Sequence, residues 1–258
     1  MVLASSQNEF SSIQRGPGSA KSEIRSADEH PKPRRGELQD RVAQQLRRSL
    51  MVGQIVPGQP LSLRQLAQQL GTSPMPVREV ISQLTAAGVL EALPNRSVMV
   101  ARMTPSRFIE LTRVRTALEG MAAEMACERV TPQLIAQLEK LDAQLHKAIE
   151  RRDILGCLSY NQAFHFALYA ASQSEILPGL IEALWLRAGP FMYFSLTNPT
   201  MQWDASGHAD ILESLRNGKA AATRRAIEHD IAVTAKNLLK KSSAFRGNLG
   251  PLTTLHTE

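Results

Sequence analysis

Residues 62–101, SLRQLAQQLGTSPMPVREVISQLTAAGVLEALPNRSVMVA, carry two short amphipathic helical patterns joined by a Gly-Thr-Ser-Pro turn and followed by alternating apolar residues. Leu63, Leu66, Ala67 and Leu70 recur at i, i+3, i+4 and i+7, and Val77, Val80, Ile81 and Leu84 repeat that spacing. Each helix therefore buries one stripe and presents the other. Gly71 suits the left-handed residue that ends a helix, Ser73 is placed to cap the next one, and Pro74 or Pro76 sits where a first-turn proline sacrifices no hydrogen bond. Beyond Gly88, a second helix stop, Val89, Leu90 and Leu93 and then Val98 and Val100 flank Pro94-Asn95-Arg96-Ser97, the pattern of two short strands and a tip. The unit reads as a winged helix-turn-helix, with Arg64, Arg78 and Arg96 on its polar positions.

At 258 residues the chain is long enough for two domains, each with its own core. Its net charge of +6 is unevenly placed: residues 1–103 hold 13 Lys and Arg against 8 Asp and Glu, and residues 104–258 hold 17 against 16. The basic excess thus lies in the helix-turn-helix half, as phosphate contacts demand. Cys127 and Cys157 are the only cysteines, without a CxxC pair or a secretory leader, so a reducing cytoplasm is the expected compartment. No apolar run approaches the roughly 18–20 residues that span a bilayer, so no membrane partner is expected.

Four segments follow from the punctuation. Residues 1–36, rich in Ser, Gly, Pro and charge, read as a disordered arm. Residues 37–103 form the winged unit, opened by a helix with Leu38, Val42, Leu46 and Leu50 along one side. Residues 104–242 show long helical patterns with almost no strand character, expected near 105–129, 132–151, 154–172, 175–195 with a break near Pro190, 204–216 and 219–242. Residues 243–258 read as a flexible tail. The fold class is mainly α, a winged helix-turn-helix followed by an all-α bundle.

Six histidines separate by helical phase. His30 and His256 lie in the tails, and His146 has Asp142 and Glu150 as i±4 neighbours, marking it as a surface residue. Leu158, Asn161, His165 and Leu168 share one stripe; His208 leads Ile211, Leu212 and Leu215; and His229 is grouped with Ala222, Ala226 and Val233. The Asn217-Gly218 turn lies about ten residues from both His208 and His229, so an antiparallel pair brings them to similar height. Three imidazoles without paired carboxylates are hard to bury neutral, and a divalent metal such as zinc, nickel or manganese, with Asn161 or water as a further ligand, is the economical explanation. Arg113 and Arg115 begin the first long helix, where the stripe Leu111, Val114, Leu118, Met121, Ala122 and Met125 puts Arg115 beside the apolar face. Arg115 either holds a carboxylate ligand or pairs with Glu119 one turn on.

The chain resembles GntR-type transcription regulators of the fatty-acid-regulator subfamily, those with the all-helical ligand-binding domain called FCD, over about residues 37–242. The resemblance is carried by Thr72-Ser73-Pro74-Met75-Pro76-Val77-Arg78-Glu79-Val80 with Leu84, Gly88-Val89-Leu90 and Pro94-Asn95-Arg96, and by Val114-Arg115, Leu118-Glu119, Asn161, Phe164-His165, His208 and His229. It implies a homodimeric repressor or activator on palindromic operator DNA, answering to a small organic acid bound at a metal ligated by Asn161, His165, His208 and His229. Arg64, Ser73, Met75 and Arg78 would then face DNA, Arg96 would reach from the wing, and Arg113 and Arg115 would meet the effector. Pro74, Ser97 and Asn161 depart from the usual arginine, wing glycine and aspartate. A metal-dependent hydrolase with an accessory winged domain is the alternative, since an open three-histidine site can generate a nucleophilic hydroxide.

Overall fold

The computed structural model describes residues 35–94, 97–196, 205–240 and 245. The expected arm up to residue 34, the tail beyond residue 245, His30, His256 and the wing-tip residue Arg96 lie outside these residues. Three helices, α1 (Arg35–Met51), α2 (Leu63–Gln69) and α3 (Pro74–Ala86), precede β1 (Leu90–Ala92) and β2 (Val98–Val100). The strands pair antiparallel, with Leu90 opposite Val100 and Ala92 opposite Val98, and Leu61 bridges to Val98 from the other side. Leu66, Ala67, Val77, Val80, Ile81 and Leu84 are buried, while Leu63 and Leu70 pack partly buried against them. Ser62 caps α2 by accepting the Gln65 N–H, and Gly71 ends it at φ +60°. Ser73 occupies the N-cap position of α3 but makes no capping hydrogen bond, and Pro74 and Pro76 remove two N–H groups from that first turn.

The helical part consists of α4 (Pro105–Cys127), α5 (Pro132–Glu150), α6 (Ile154–Ala170), α7 (Leu177–Leu196), α8 (Ser206–Arg216) and α9 (Ala220–Leu239). Side chains of Thr104, Thr131 and Asp153 accept from the N–H groups of Arg107, Leu134 and Gly156, so three of these helices start where an oxygen-bearing side chain satisfies an orphan donor. α4 packs along α9, α5 along α6, and α8 on both α5 and α9. Among the described residues no helix is long and apolar enough to cross a membrane.

The expected break near Pro190 does not occur: α7 runs unbroken through it, with Ala188, Gly189, Pro190 and Phe191 all buried. Tertiary packing overrides the proline here, because this stretch is where the winged unit rests. The end of α1 lies against Gly189, where an added Cβ would sit 2.5 Å from the Met51 carbonyl oxygen and 2.6 Å from its Cα. Two polar contacts flank that approach. Arg47 pairs with Glu182 at 2.9 Å, and Arg187 donates at 2.8 Å to the carbonyl of Ala87, the C-cap residue of α3.

Gly189→Ala therefore forces backbone apart and is expected to lower stability by about 1–3 kcal/mol. Gly179→Ala, in the same helix with open space around it, is expected to be neutral or to stabilise by about 0.5–1 kcal/mol. Urea denaturation of both variants checks the contrast.

Candidate functional site

The buried side of α6 consists of Cys157, Leu158, Asn161, Phe164, His165, Leu168 and Tyr169, so Asn161 and His165 enter the bundle one turn apart, on the stripe expected for them. α8 contributes His208, buried together with Ile211, Leu212 and Leu215. The two imidazoles stand 5.2 Å apart between centroids, nearly perpendicular at 79°, and Phe164 stacks flat on His208 at 3.9 Å. The His208 Nδ1 is 2.9 Å from Asp142 Oδ1, while its Nε2 is buried without a hydrogen-bond partner. Burial holds the His208 pKa below the ordinary imidazole value, outweighing the hydrogen bond to Asp142, and the neighbouring His165 acts in the same downward sense.

α9 supplies a different residue from the one the sequence suggests. His229 is exposed, and Asp230 turns inward, with Oδ2 3.4 Å from His165 Nε2. The buried face of α9 is Thr223, Ile227, Ile231, Ala235 and Leu238, one residue out of phase with Ala222, Ala226, His229 and Val233. Alanines fit either face of a helix and Val233 on the expected stripe is left exposed, whereas Ile227, Ile231 and Leu238 together mark the buried face. Gly207 completes the fit: a Cβ there would lie 2.5 Å from Asp230 Oδ1, so the carboxylate packs against the first turn of α8, at the positive end of that helix. Burial pushes the Asp230 pKa up, but the hydrogen bond and charge of His165, with His208 and Arg115, outweigh it and hold the group below its ordinary value.

α4 also differs from expectation in phase. Its buried face is Phe108, Leu111, Arg115, Glu119, Ala122, Ala123, Ala126 and Cys127, whereas Val114 and Met121 are 43% and 42% exposed. Arg115 lies within the apolar stripe rather than beside it, and its pairing with Glu119 is buried. Arg115 Nε donates to Glu119 Oε1 at 2.6 Å and Nη2 donates to Oε2 at 3.3 Å, with the guanidinium carbon 4.8 Å over the Trp185 ring. Glu119 Oε2 also accepts from the Tyr169 hydroxyl at 2.7 Å and the Trp185 indole N–H at 2.9 Å. Burial works against the charged guanidinium, but Glu119 overcomes it and keeps the Arg115 pKa above its usual value.

Tyr169 carries this network to the histidines. Its single hydroxyl proton goes to Glu119, so its oxygen accepts from the Nδ1–H of His165, 3.1 Å away. The Nε2 of a neutral His165 then bears a lone pair that faces the Asp230 carboxylate. Two electron-rich atoms at 3.4 Å are reconciled by a cation between them, either a proton on Nε2 or a metal ion. Two imidazoles, a carboxylate and the Asn161 amide are a donor set that suits a borderline divalent ion. The side chains as they stand are not drawn around one point: among the described residues no three His, Cys, Asp or Glu form a metal-binding group.

Arg113 does not join this cluster. It is exposed and lines an outward groove of about 460 Å³ between α4 and α9, with Ile109, Thr112, Lys236 and Lys240. In the winged unit Arg64, Ser73, Met75 and Arg78 are all exposed, on the surface that α2 and α3 leave free of core contacts.

The chain matches known proteins along both parts. Residues 110–232 match the FCD domain, and residues 38–100 match the bacterial regulatory proteins of the gntR family. The HTH-type transcriptional regulator McbR of Escherichia coli K12 is 33% identical over 176 residues, 68% of this chain and 76% of that protein. The HTH-type transcriptional repressor RspR of the same organism is 27% identical over 185 residues, 70% of this chain and 80% of that protein. The solved structure of E. coli McbR/YncC superposes with a TM-score of 0.71 at 30% identity, covering 77% of this chain and 97% of that one.

Glu119→Gln leaves the Arg115 charge buried without its counter-charge and is expected to cost about 3–5 kcal/mol. Adding Arg115→Met is expected to restore much of that loss, which urea denaturation reads. The pH dependence has two windows. The His208 pKa is lower folded than unfolded, so below about pH 6.5 the unfolded chain binds more protons and stability falls. Asp230 is likewise depressed, and its contribution, present above about pH 4, is lost as pH drops through its folded value. Denaturation series across both windows are expected to show His208→Asn flattening only the upper one.

Proposed function

The chain belongs to the GntR family of DNA-binding transcription regulators and carries an FCD domain, and we propose that it is a repressor whose helical bundle senses a small organic acid at a divalent metal. One observation carries this reading: a buried His208 Nε2 without a partner lies beside an imidazole and a carboxylate that call for a cation between them. His165, His208 and Asp230, with Asn161, would hold the ion. Zinc, nickel or manganese bound there would offer open coordination positions to a carboxylate. Arg115 backs the site with positive charge, although its own hydrogen bonds go to Glu119. The hydrolase alternative has no support, since the matching families and relatives are transcription regulators and not enzymes.

A homodimer on palindromic DNA suits the winged unit, because paired recognition helices read half-sites related by a two-fold axis. In this reading α3 enters the major groove with Arg78 toward base edges, Ser73 and Met75 lead its N-terminal end, Arg64 contacts backbone from α2, and Arg96 reaches from the wing. Effector binding is coupled to DNA through α7, which presents Trp185 to the buried network and Arg187 to the end of α3. A ligand shifts only an equilibrium whose states it binds differently, so effector and operator affinities must change reciprocally.

Selection of bound sequences from random DNA gives the operator. Arg78→Ala is then expected to weaken operator binding by about 1–3 kcal/mol with a relaxed preference at one base pair, and unchanged binding would contradict the placement of α3. A thermal-shift screen of organic acids on chelated and zinc-loaded protein tests the sensor: an acid that stabilises only the loaded form supports it, and the absence of any metal-dependent shift contradicts it.

A further inference from the structure

His208 is held in two ways that the proposed ligand set does not itself include. Phe164 stacks on it with ring planes 7° apart, which fixes the plane of the imidazole but not which edge points inward. That choice is made on the opposite edge by Asp142 of α5, whose Oδ1 lies 2.9 Å from Nδ1. A carboxylate only accepts, so Nδ1 carries the proton and Nε2 keeps its lone pair. Asp142 has a second neighbour on its own helix, and α5 is tied to α8 close by. The other oxygen of Asp142 is 3.5 Å from Nε2 of His146, and one turn earlier Glu139 accepts from Arg216 at 2.7 Å, tying α5 to the last turn of α8.

We propose that Asp142 is the positioning residue of the site, locking His208 in the Nδ1–H tautomer and turning its bare Nε2 into the bundle as a metal ligand. This rests on the metal reading above and adds to it a residue outside the ligand set. A carboxylate behind a ligating histidine fixes the ring and raises its basicity, and removing such a partner costs about 10–100-fold in metal affinity. His165 is pinned by the same logic through a different group, the Tyr169 oxygen, whose own proton goes to Glu119. The two ligating nitrogens are thus both Nε2 atoms selected from behind.

The test uses the full chain with 15N-labelled histidine, stripped of metal by chelation and held at about pH 8, above the ordinary imidazole value. Long-range 1H–15N correlation is expected to show wild-type His208 as a single Nδ1–H tautomer, and Asp142→Asn and Asp142→Ala as mixtures. Titration with Zn2+ alone is expected to give affinities about 10–100-fold weaker in both variants. The near-isosteric Asn variant guards against a folding defect, which thermal melts would expose. A wild-type His208 protonated on Nε2, or variants that keep both the wild-type tautomer and the wild-type Zn2+ affinity, would overturn the proposal. A wild-type protein that bound no Zn2+ would contradict the metal reading, while the tautomer measurement would still decide the role of Asp142.

Discussion

The buried ion pair of Arg115 and Glu119 is the interaction around which the helical part is organised. A charge pair inside a helical bundle is tolerated only when further hydrogen bonds meet its remaining donors and acceptors. Here the indole of Trp185 from α7 and the hydroxyl of Tyr169 from α6 both converge on one Glu119 oxygen, while the guanidinium from α4 lies over the indole ring. Three helices are thereby fixed by one carboxylate. The same arrangement orients His165, because the Tyr169 hydroxyl has spent its proton on Glu119 and turns an acceptor toward the imidazole. Removing Glu119 would thus disturb stability and the candidate site together.

From this centre α7 leads to the winged unit. Trp185 faces the buried network, and two residues further on Arg187 reaches the carbonyl of Ala87 at the end of α3. One residue before the proline, Gly189 lets the backbone at the end of α1 approach the helix closely. A change in the packing of α7 on the site side therefore has a short route to α3, along one helix and across one hydrogen bond. Close-packed helices move between discrete arrangements rather than deform smoothly, which suits such a route to switching.

The helix-turn-helix and its turn were legible because they rest on local chemistry: apolar spacing, a left-handed glycine and prolines in a helix's first turn. The stripes of His165 and His208 were legible for the same reason, since leucines and isoleucines mark the buried face beside them. Four features were not. On α9 the alanines admit two phases, and grouping His229 with them hid Asp230, although Ile227, Ile231 and Leu238 already mark the other face. On α4 a charged pair occupies the apolar stripe itself, so a rule that sends charge outward misplaces Val114 and Met121. In α7 the continuity through Pro190 comes from packing against α1, which no local pattern encodes. The sequence marks Asp142 only as the helix neighbour of His146, because its contact with His208 spans 66 positions of sequence.

The residue that α9 contributes is where the structure departs furthest from the pattern in the sequence. The direct test is Zn2+-dependent stabilisation of chelated protein in thermal melts, compared among wild type, Asp230→Ala and His229→Ala. His229→Ala is expected to retain the wild-type shift and Asp230→Ala to lose most of it. Loss of the shift in His229→Ala with an unchanged shift in Asp230→Ala would contradict the inward placement of Asp230, and would return the third imidazole to the site.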